Sequence, residues 1–423
     1  MSSAISRASR LAARVLPCCV LLAAGGCANF GPEALMQTRL QYNEVVKSTT
    51  EEQLLLNIVR LRYGDTPSSL AISAIAAQFE RTQAAQLTPF FAATGDLSRG
   101  SYAAVLPQLQ VGGADRPTFS LTPLDDQEFT RKLFTPLPLD GIIYLAKTTW
   151  PISTVFRLYL ENLNWVSNAE SASGPTPKAE PAYAAFLRGM EALQALQDRG
   201  VVVFGSEETD EALGSPLPAS AVRAADLIEA AKNGYEYRSD EQGRWTLTHK
   251  VQKPVLLFDP RAANSADMQE VVRVFRLKPG TTRFAITQET LQPFVAAGQE
   301  EGLTNVDLET RSLLQALYFV AHGIDVPAEH LASGIATQTL DAGGRPFDWQ
   351  RVTRGLFRVR SVQAAERPPG AHVAVQFKGW WYYIAETDAD SKSTFSLLME
   401  LGRLELTGKG GPGPLLTLPL GGR

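Results

Sequence analysis

Apolar positions recur at helical spacing through the first part of the chain. Residues 32–47 predict a helix, with Pro32 suited to its first turn. Ser48, Thr49 and Thr50 interrupt it, and Thr49 with Glu52 matches the Thr-x-x-Glu capping box of a second helix over 51–63. That helix carries Leu54, Leu55, Leu56, Ile58, Val59 and Leu61, and leaves Gln53, Asn57 and Arg60 as one narrow polar stripe. A helix apolar on most sides is buried. Residues 51–63 are therefore expected to form a central core helix, in which a buried Arg60 would need a partner. Gly64 follows where a left-handed cap is required.

The period then shortens. Leu70, Ile72, Ala74 and Ala76 alternate as in a strand, within 68–81, although the alanines would also suit a helix. Residues 83–113 predict a hairpin or a long loop, and 117–121 a short strand. Asp125, Asp126 and Glu128 open a helix to 133, where acids suit the positive end of the dipole. Pro136 and Pro138 end it, and helices over 139–147 and 152–163 follow. The Ser, Ala, Gly and Pro of 167–181 mark the expected boundary between domains at 28–166 and 182–407.

Beyond the boundary the pattern predicts helices at 181–199, 219–232, 268–275 and 307–322. Strands are expected at 201–204, 234–238, 244–249, 255–258 and 282–287, the middle three as a meander, and 332–350 reads as loop. Consecutive strands at 356–362, 373–377 and 380–385 enclose Lys378-Gly379 as a tight turn. A helix over 388–406 precedes a Gly- and Pro-rich tail, 408–423, expected to be disordered. The fold class that emerges is α+β, with a helix-rich N-terminal half and mixed sheet and helices in the C-terminal half.

The first 27 residues follow another pattern. Arg7, Arg10 and Arg14 form a basic start without acids, residues 15–24 are an apolar run, and Ala24-Gly25-Gly26-Cys27 closes it. Ten residues of helix reach about 15 Å, roughly half a hydrocarbon core, so a membrane span is not expected. An ordinary secretory signal would share the charge and apolar pattern. Cys27 after two glycines, where the run ends, resembles the lipobox of a bacterial lipoprotein signal peptide, although Ala24 stands where leucine is usual. The resemblance implies cleavage before Cys27 and acylation of its thiol and amino group by fatty chains of the palmitate kind. With Ala28 rather than aspartate next, it implies sorting to the outer membrane, facing the periplasm. More than one acyl chain is needed for firm anchoring.

Composition adds exclusions. The 423 residues carry a net charge of −4, which becomes −7 when the three leader arginines are removed. A mildly acidic body with scattered lysine and arginine argues against nucleic acid as partner. All three cysteines lie within 1–27, so the mature body has no disulfide and no thiolate metal site. No later segment is apolar enough to predict a membrane helix, and the body is expected to be soluble apart from its lipid.

Candidate chemistry is sparse. Gly-x-Ser-x-Gly and His-Glu-x-x-His are absent. Lys392-Ser393-Thr394 follows acids rather than the glycines of a phosphate loop. His322, Asp325, Glu329 and His330 have suitable ligand types, but their spacing, with Pro327 between them, matches no metal pattern. Glu386, Asp388 and Asp390 imitate the start of a calcium loop, yet later ligand positions fail, and a helix N-cap explains them. No metal or cofactor is assigned. Trp380, Trp381, Tyr382 and Tyr383 would alternate faces of a strand, so that one pair packs the core and the other either covers the last helix or forms a docking surface.

The stretches 51–57 and Arg62-Tyr63, and Trp381-Tyr382-Tyr383-Ile384 with Ser391-Lys392-Ser393-Thr394-Phe395, are similar to segments of an uncharacterised group of bacterial envelope lipoproteins. That resemblance implies location and no activity. The expectation is a non-enzymatic accessory or scaffold of an envelope assembly, anchored to the membrane through Cys27 and holding an envelope protein partner. Two rivals stay open: a cell-envelope hydrolase with a carboxylate pair, and a carrier of a lipid or small ligand.

Overall fold

The computed structural model describes residues 30–68, 70–76, 79–92, 102–115, 118–123, 127–288 and 302–406. The leader with Cys27 and the 408–423 tail lie outside the described residues. The chain divides into two compact units, Met1–Leu55 and Leu56–Arg423.

The first described element is one helix, α1 (Phe30–Arg62), where the sequence predicts two. The Ser-Thr-Thr interruption does not break it, because its hydroxyls bond back within the helix. Thr49 Oγ1 donates to the Val45 carbonyl at 2.8 Å and Thr50 Oγ1 to that of Val46 at 2.6 Å. In its last turns Ile58, Val59 and Leu61 are buried. The buried arginine is Arg62, which follows Ile58 and Val59 by four and three residues and so shares their face. Arg60 is only half-buried and bonds Asn57 Oδ1 at 3.2 Å.

Strands β1 (Leu70–Ala76), β2 (Phe79–Ala92), β3 (Tyr102–Asp115) and β4 (Thr118–Pro123) follow. β1 pairs with β4 and β2 with β3, both antiparallel, so the hairpin reading of 83–113 holds. Helices α2 (Gln127–Phe134), α3 (Leu139–Lys147) and α4 (Ile152–Tyr159) come next.

α4 stops four residues before the helix predicted over 152–163, giving way to β5 (Leu160–Leu163). The carbonyls that a continuing helix would use are already taken. Arg311 bonds those of Arg157 and Leu158, and Asn168 Nδ2 bonds those of Arg157 and Leu160. Asn164 and Trp165, at φ +49° and +64°, turn the chain into β6 (Val166–Ser167).

Helix α5 (Ala184–Asp198) leads to β7 (Val202–Pro218), and α6 (Ala224–Lys232) to β8 (Tyr235–Ser239) and β9 (Arg244–Phe258). β9 unites two segments of the expected meander into one strand. After α7 (Ala266–Val274) come β10 (Arg283–Gln288) and β11 (Asn305–Thr310). The latter replaces the start of the predicted 307–322 helix, whose remainder is α8 (Leu313–Ala321). Val306, Leu308 and Thr310 are buried at strand spacing there. Ser312 and Gln315 form the capping box that starts the helix only afterwards.

These strands make one sheet in the order β6-β5-β11-β10-β9-β7, with β8 also on β9. β10 and β11 run parallel; the other pairs are antiparallel. The sheet crosses the 167–181 tract, since β5 from before it pairs with β11 from after it.

Short helices α9 (Ala328–Ala332) and α10 (Gln350–Thr353) precede a three-stranded sheet in the order β12-β14-β13: β12 (Arg360–Val362), β13 (Ala371–Phe377) and β14 (Trp380–Ala385). The predicted turn is present, with Lys378 at φ +49° and Gly379 at +82°. Asp388 accepts the Ser391 N–H at 3.0 Å and its hydroxyl at 2.8 Å, capping α11 (Ala389–Leu406). Helices and mixed sheets together make the fold α+β.

Candidate functional site

Of the residues singled out by sequence, the aromatic strand is the most connected. β14 is the middle strand of its sheet, so its backbone is bonded on both sides. Trp380 and Tyr382 share one face. Tyr382 is fully buried; Trp380, Trp381 and Tyr383 are half-buried.

The Tyr63 hydroxyl stands between two partners, Tyr382 Oη at 2.5 Å and His330 Nδ1 at 2.7 Å. Trp380 Nε1 donates to Glu329 Oε1 at 2.7 Å. Burial raises the pKa of both phenols above the ordinary tyrosine value. The Tyr382–Tyr63–His330 run is thus two neutral hydroxyls ending on an imidazole. Tyr63→Phe would leave the Tyr382 hydroxyl without this partner and is expected to lower stability by about 1–3 kcal/mol, read from urea unfolding.

The histidines and acids of 322–330 go to separate partners. Asp325 pairs with Arg358 at 2.9 Å, Glu329 holds Trp380, and His330 holds Tyr63. His322 is buried against the Trp349 ring, with centroids 4.1 Å apart. Among the described residues, no group of three or more His, Cys, Asp or Glu is placed to hold a metal ion.

Burial, with the nearby Arg62 charge, lowers the His322 pKa from 6.5 to about 3. The ring is therefore neutral, and Nδ1–H donates to the Tyr318 carbonyl at 2.8 Å. Nε2 is buried without a protein partner. Because the unfolded chain binds the proton and the folded one does not, this contribution is intact above pH 6.5 and falls as pH drops toward 3. One proton corresponds to about 1.4 kcal/mol per pH unit. Between pH 7 and 5 the wild type should lose about 2 kcal/mol more than His322→Phe, measured by urea unfolding at each pH.

Arg62 explains that charge. Its Nη1 donates to Thr176 Oγ1 at 3.0 Å and to the Thr337 carbonyl at 3.2 Å, and burial lowers its pKa to about 10. A cleft of 370 Å³ lies elsewhere, among Arg157, Glu191, Arg351 and Arg354. Glu191 is its one carboxylate, so it lacks the acid pair of glycoside hydrolysis.

The other prominent surface is an arm. β7 pairs with β9 from Val202↔Phe258 to Pro218↔Arg244 and forms the edge of the large sheet throughout. Residues 208–218 are exposed at every position, on both faces. Leu213 and Leu217 on the arm, with Leu227 and Ile228 on α6, are large exposed apolar side chains. Glu207 and Asp210 pair with Arg283 and Arg238, and Glu208 with Lys250 at 2.7 Å. Such exposed pairs contribute little to stability.

Sequence reasoning found β14 and His330, and met Arg62-Tyr63 only within the resemblance and without a role; it did not give the length of the arm. Cys27 is outside the described residues, and among those described no helix is long and apolar enough to cross a membrane. No family model, curated protein or solved structure matches this chain.

Proposed function

We propose that this chain is a lipoprotein anchored to the outer membrane through Cys27, acting in the periplasm as an accessory or scaffold component of an envelope assembly. The observation that carries the reading is the β7–β9 arm. Its exposed edge offers unpaired backbone groups to a partner strand, and Leu213 and Leu217 offer apolar contact beside it. What supports the location is the leader, with its basic start, short apolar run and cysteine after two glycines.

The test uses the acylated protein in cross-linked envelopes. Purification of the wild type should bring down a stoichiometric envelope partner that the Leu213→Asp/Leu217→Asp variant, folded by circular dichroism, fails to retain. An identical set of proteins with both chains removes the arm from the reading. Cys27→Ser should abolish lipid labelling; unchanged labelling refutes the anchor.

A further inference from the structure

The β2–β3 ribbon differs from the arm in both its pairing and its chemistry. It is paired without a bulge from Phe79↔Asp115 to Ala92↔Tyr102. At about 3.3 Å per residue, its strands run to roughly 45 Å. Among the described elements it pairs with nothing else. A two-stranded ribbon by itself is at best marginally stable in water.

Residue types along the ribbon sort with period two. One face places Gln83, Ala85, Leu87, Pro89 and Phe91 opposite Val111, Leu109, Pro107, Val105 and Ala103. Nine of those ten positions are apolar. The other face sets Thr82, Ala84, Gln86 and Thr88 against Gly112, Gln110, Gln108 and Leu106, and then Phe90 and Ala92 against Ala104 and Tyr102, so that the glutamines and threonines gather toward one end of it. Neither 82–92 nor 102–114 contains a charged residue, whereas Glu80, Arg81 and Asp115 gather at one end. The β7–β9 arm, by contrast, carries acids and bases along its length.

An uncharged stretch over 82–92 has the length of a transmembrane β-strand, about 9–11 residues. One face apolar along its length and one that carries the threonines and most of the glutamines fits a strand between lipid and an aqueous lumen. A lone ribbon cannot reside in hydrocarbon, because each unpaired edge group there costs several kcal/mol. Only a closed barrel removes the edges, and the smallest have about eight strands, which requires roughly four ribbons.

We propose that the β2–β3 ribbon inserts into the bilayer as one strand pair of a barrel closed by further copies of this chain. The face of Leu87 and Leu109 meets lipid, and the mixed face with Thr82, Gln86, Thr88, Gln108 and Gln110 lines the lumen. Pro89 and Pro107 each withdraw one backbone donor, leaving the remaining groups to pair. The inference rests on the outer-membrane placement proposed above.

The chain has no cysteine after Cys27, so a single introduced cysteine is the only thiol in the body. Full-length acylated protein is reconstituted into phosphatidylethanolamine–phosphatidylglycerol vesicles with cysteine placed in turn at positions 84 to 88, as in Gln86→Cys and Leu87→Cys. An aqueous maleimide should react roughly tenfold faster at 84, 86 and 88 than at 85 and 87, following the alternation of lumen and lipid. A fluorophore at 85 or 87 should be quenched by brominated lipid. Cross-linking in detergent should end at one closed oligomer of the chain. Uniform reactivity, alternation without lipid quenching, or a monomer would each overturn the proposal. Labelling of the unsubstituted chain reports separately on the anchor, since it occurs only if Cys27 is not acylated.

Discussion

Arg311→Met is expected to lower the stability of the folded chain by about 3–5 kcal/mol, because several buried acceptors each lose a donor at about 1–3 kcal/mol apiece. Arg311 is fully buried. Its Nε donates to Ser173 Oγ at 2.9 Å, Nη1 to the carbonyls of Arg157 and Leu158 at 3.0 and 3.2 Å, and Nη2 to that of Asn168 at 2.6 Å. The guanidinium lies over the Phe319 ring, 3.9 Å from its centre. Burial lowers its pKa to about 9, opposed by Glu161 and Glu170, so the group remains charged at neutral pH.

Methionine would replace much of the stem's packing but none of the donors. The carbonyls at the end of α4 and the Ser173 hydroxyl would lose a bond where water is excluded. The end of α4 and the start of β5 are held by these bonds. Arg311→Lys should lose nearly as much, because one ammonium cannot reproduce a planar fork with four acceptors. Urea unfolding should show a lower midpoint with an unchanged slope. A loss below about 1 kcal/mol would mean that the carbonyls find other donors.

Gly323→Ala is the second large effect, about 3 kcal/mol or more, and it acts through the backbone. A Cβ at Gly323 would press into the Phe357 carbonyl oxygen, well inside any permitted contact. The two segments cannot separate freely. Val359 N–H donates to the Gly323 carbonyl at 3.0 Å, and Asp325 N–H to that of Val359 at 2.8 Å. Gly141→Ala in α3 is the control. Nothing lies within 4 Å of its added Cβ, so alanine there should stabilise by up to about 1 kcal/mol. Opposite signs for the same chemical change would establish that close approach at Gly323, rather than glycine's flexibility, is what matters.

The sequence by itself determined elements whose signals are local. β14 has the predicted boundaries, and the Lys378-Gly379 turn follows from two adjacent residues in the left-handed region. α3 spans the predicted 139–147, between proline and threonine ends. The α+β class followed from the alternation of two periods along the chain. Each of these needs only neighbouring residues, whose propensity and spacing act before any distant contact forms.

Tertiary structure alone decided the rest. Residues 160–163 and 307–310 read as helix because their leucines continue the apolar spacing of the helices beside them. They became strands because the two segments, far apart along the chain, pair with each other, and Asn164 Oδ1 accepts the Asp307 N–H beside that pairing. Arg62 rather than Arg60 became the buried cation because the helix face that meets the core depends on what covers it. His322 and His330 sit eight residues apart, yet Trp349 takes one and Tyr63 the other. The β2–β3 ribbon shows the same limit from the other side. Its apolar positions never form a run long enough to signal a membrane helix, because every second residue belongs to the opposite face. Only the register, which pairs Leu87 with Pro107 and Gln86 with Gln108, gathers them into one surface. The physical reason is common to all these cases: periodicity reports which residues share a face, whereas the partner of that face is set by contacts that sequence separation conceals.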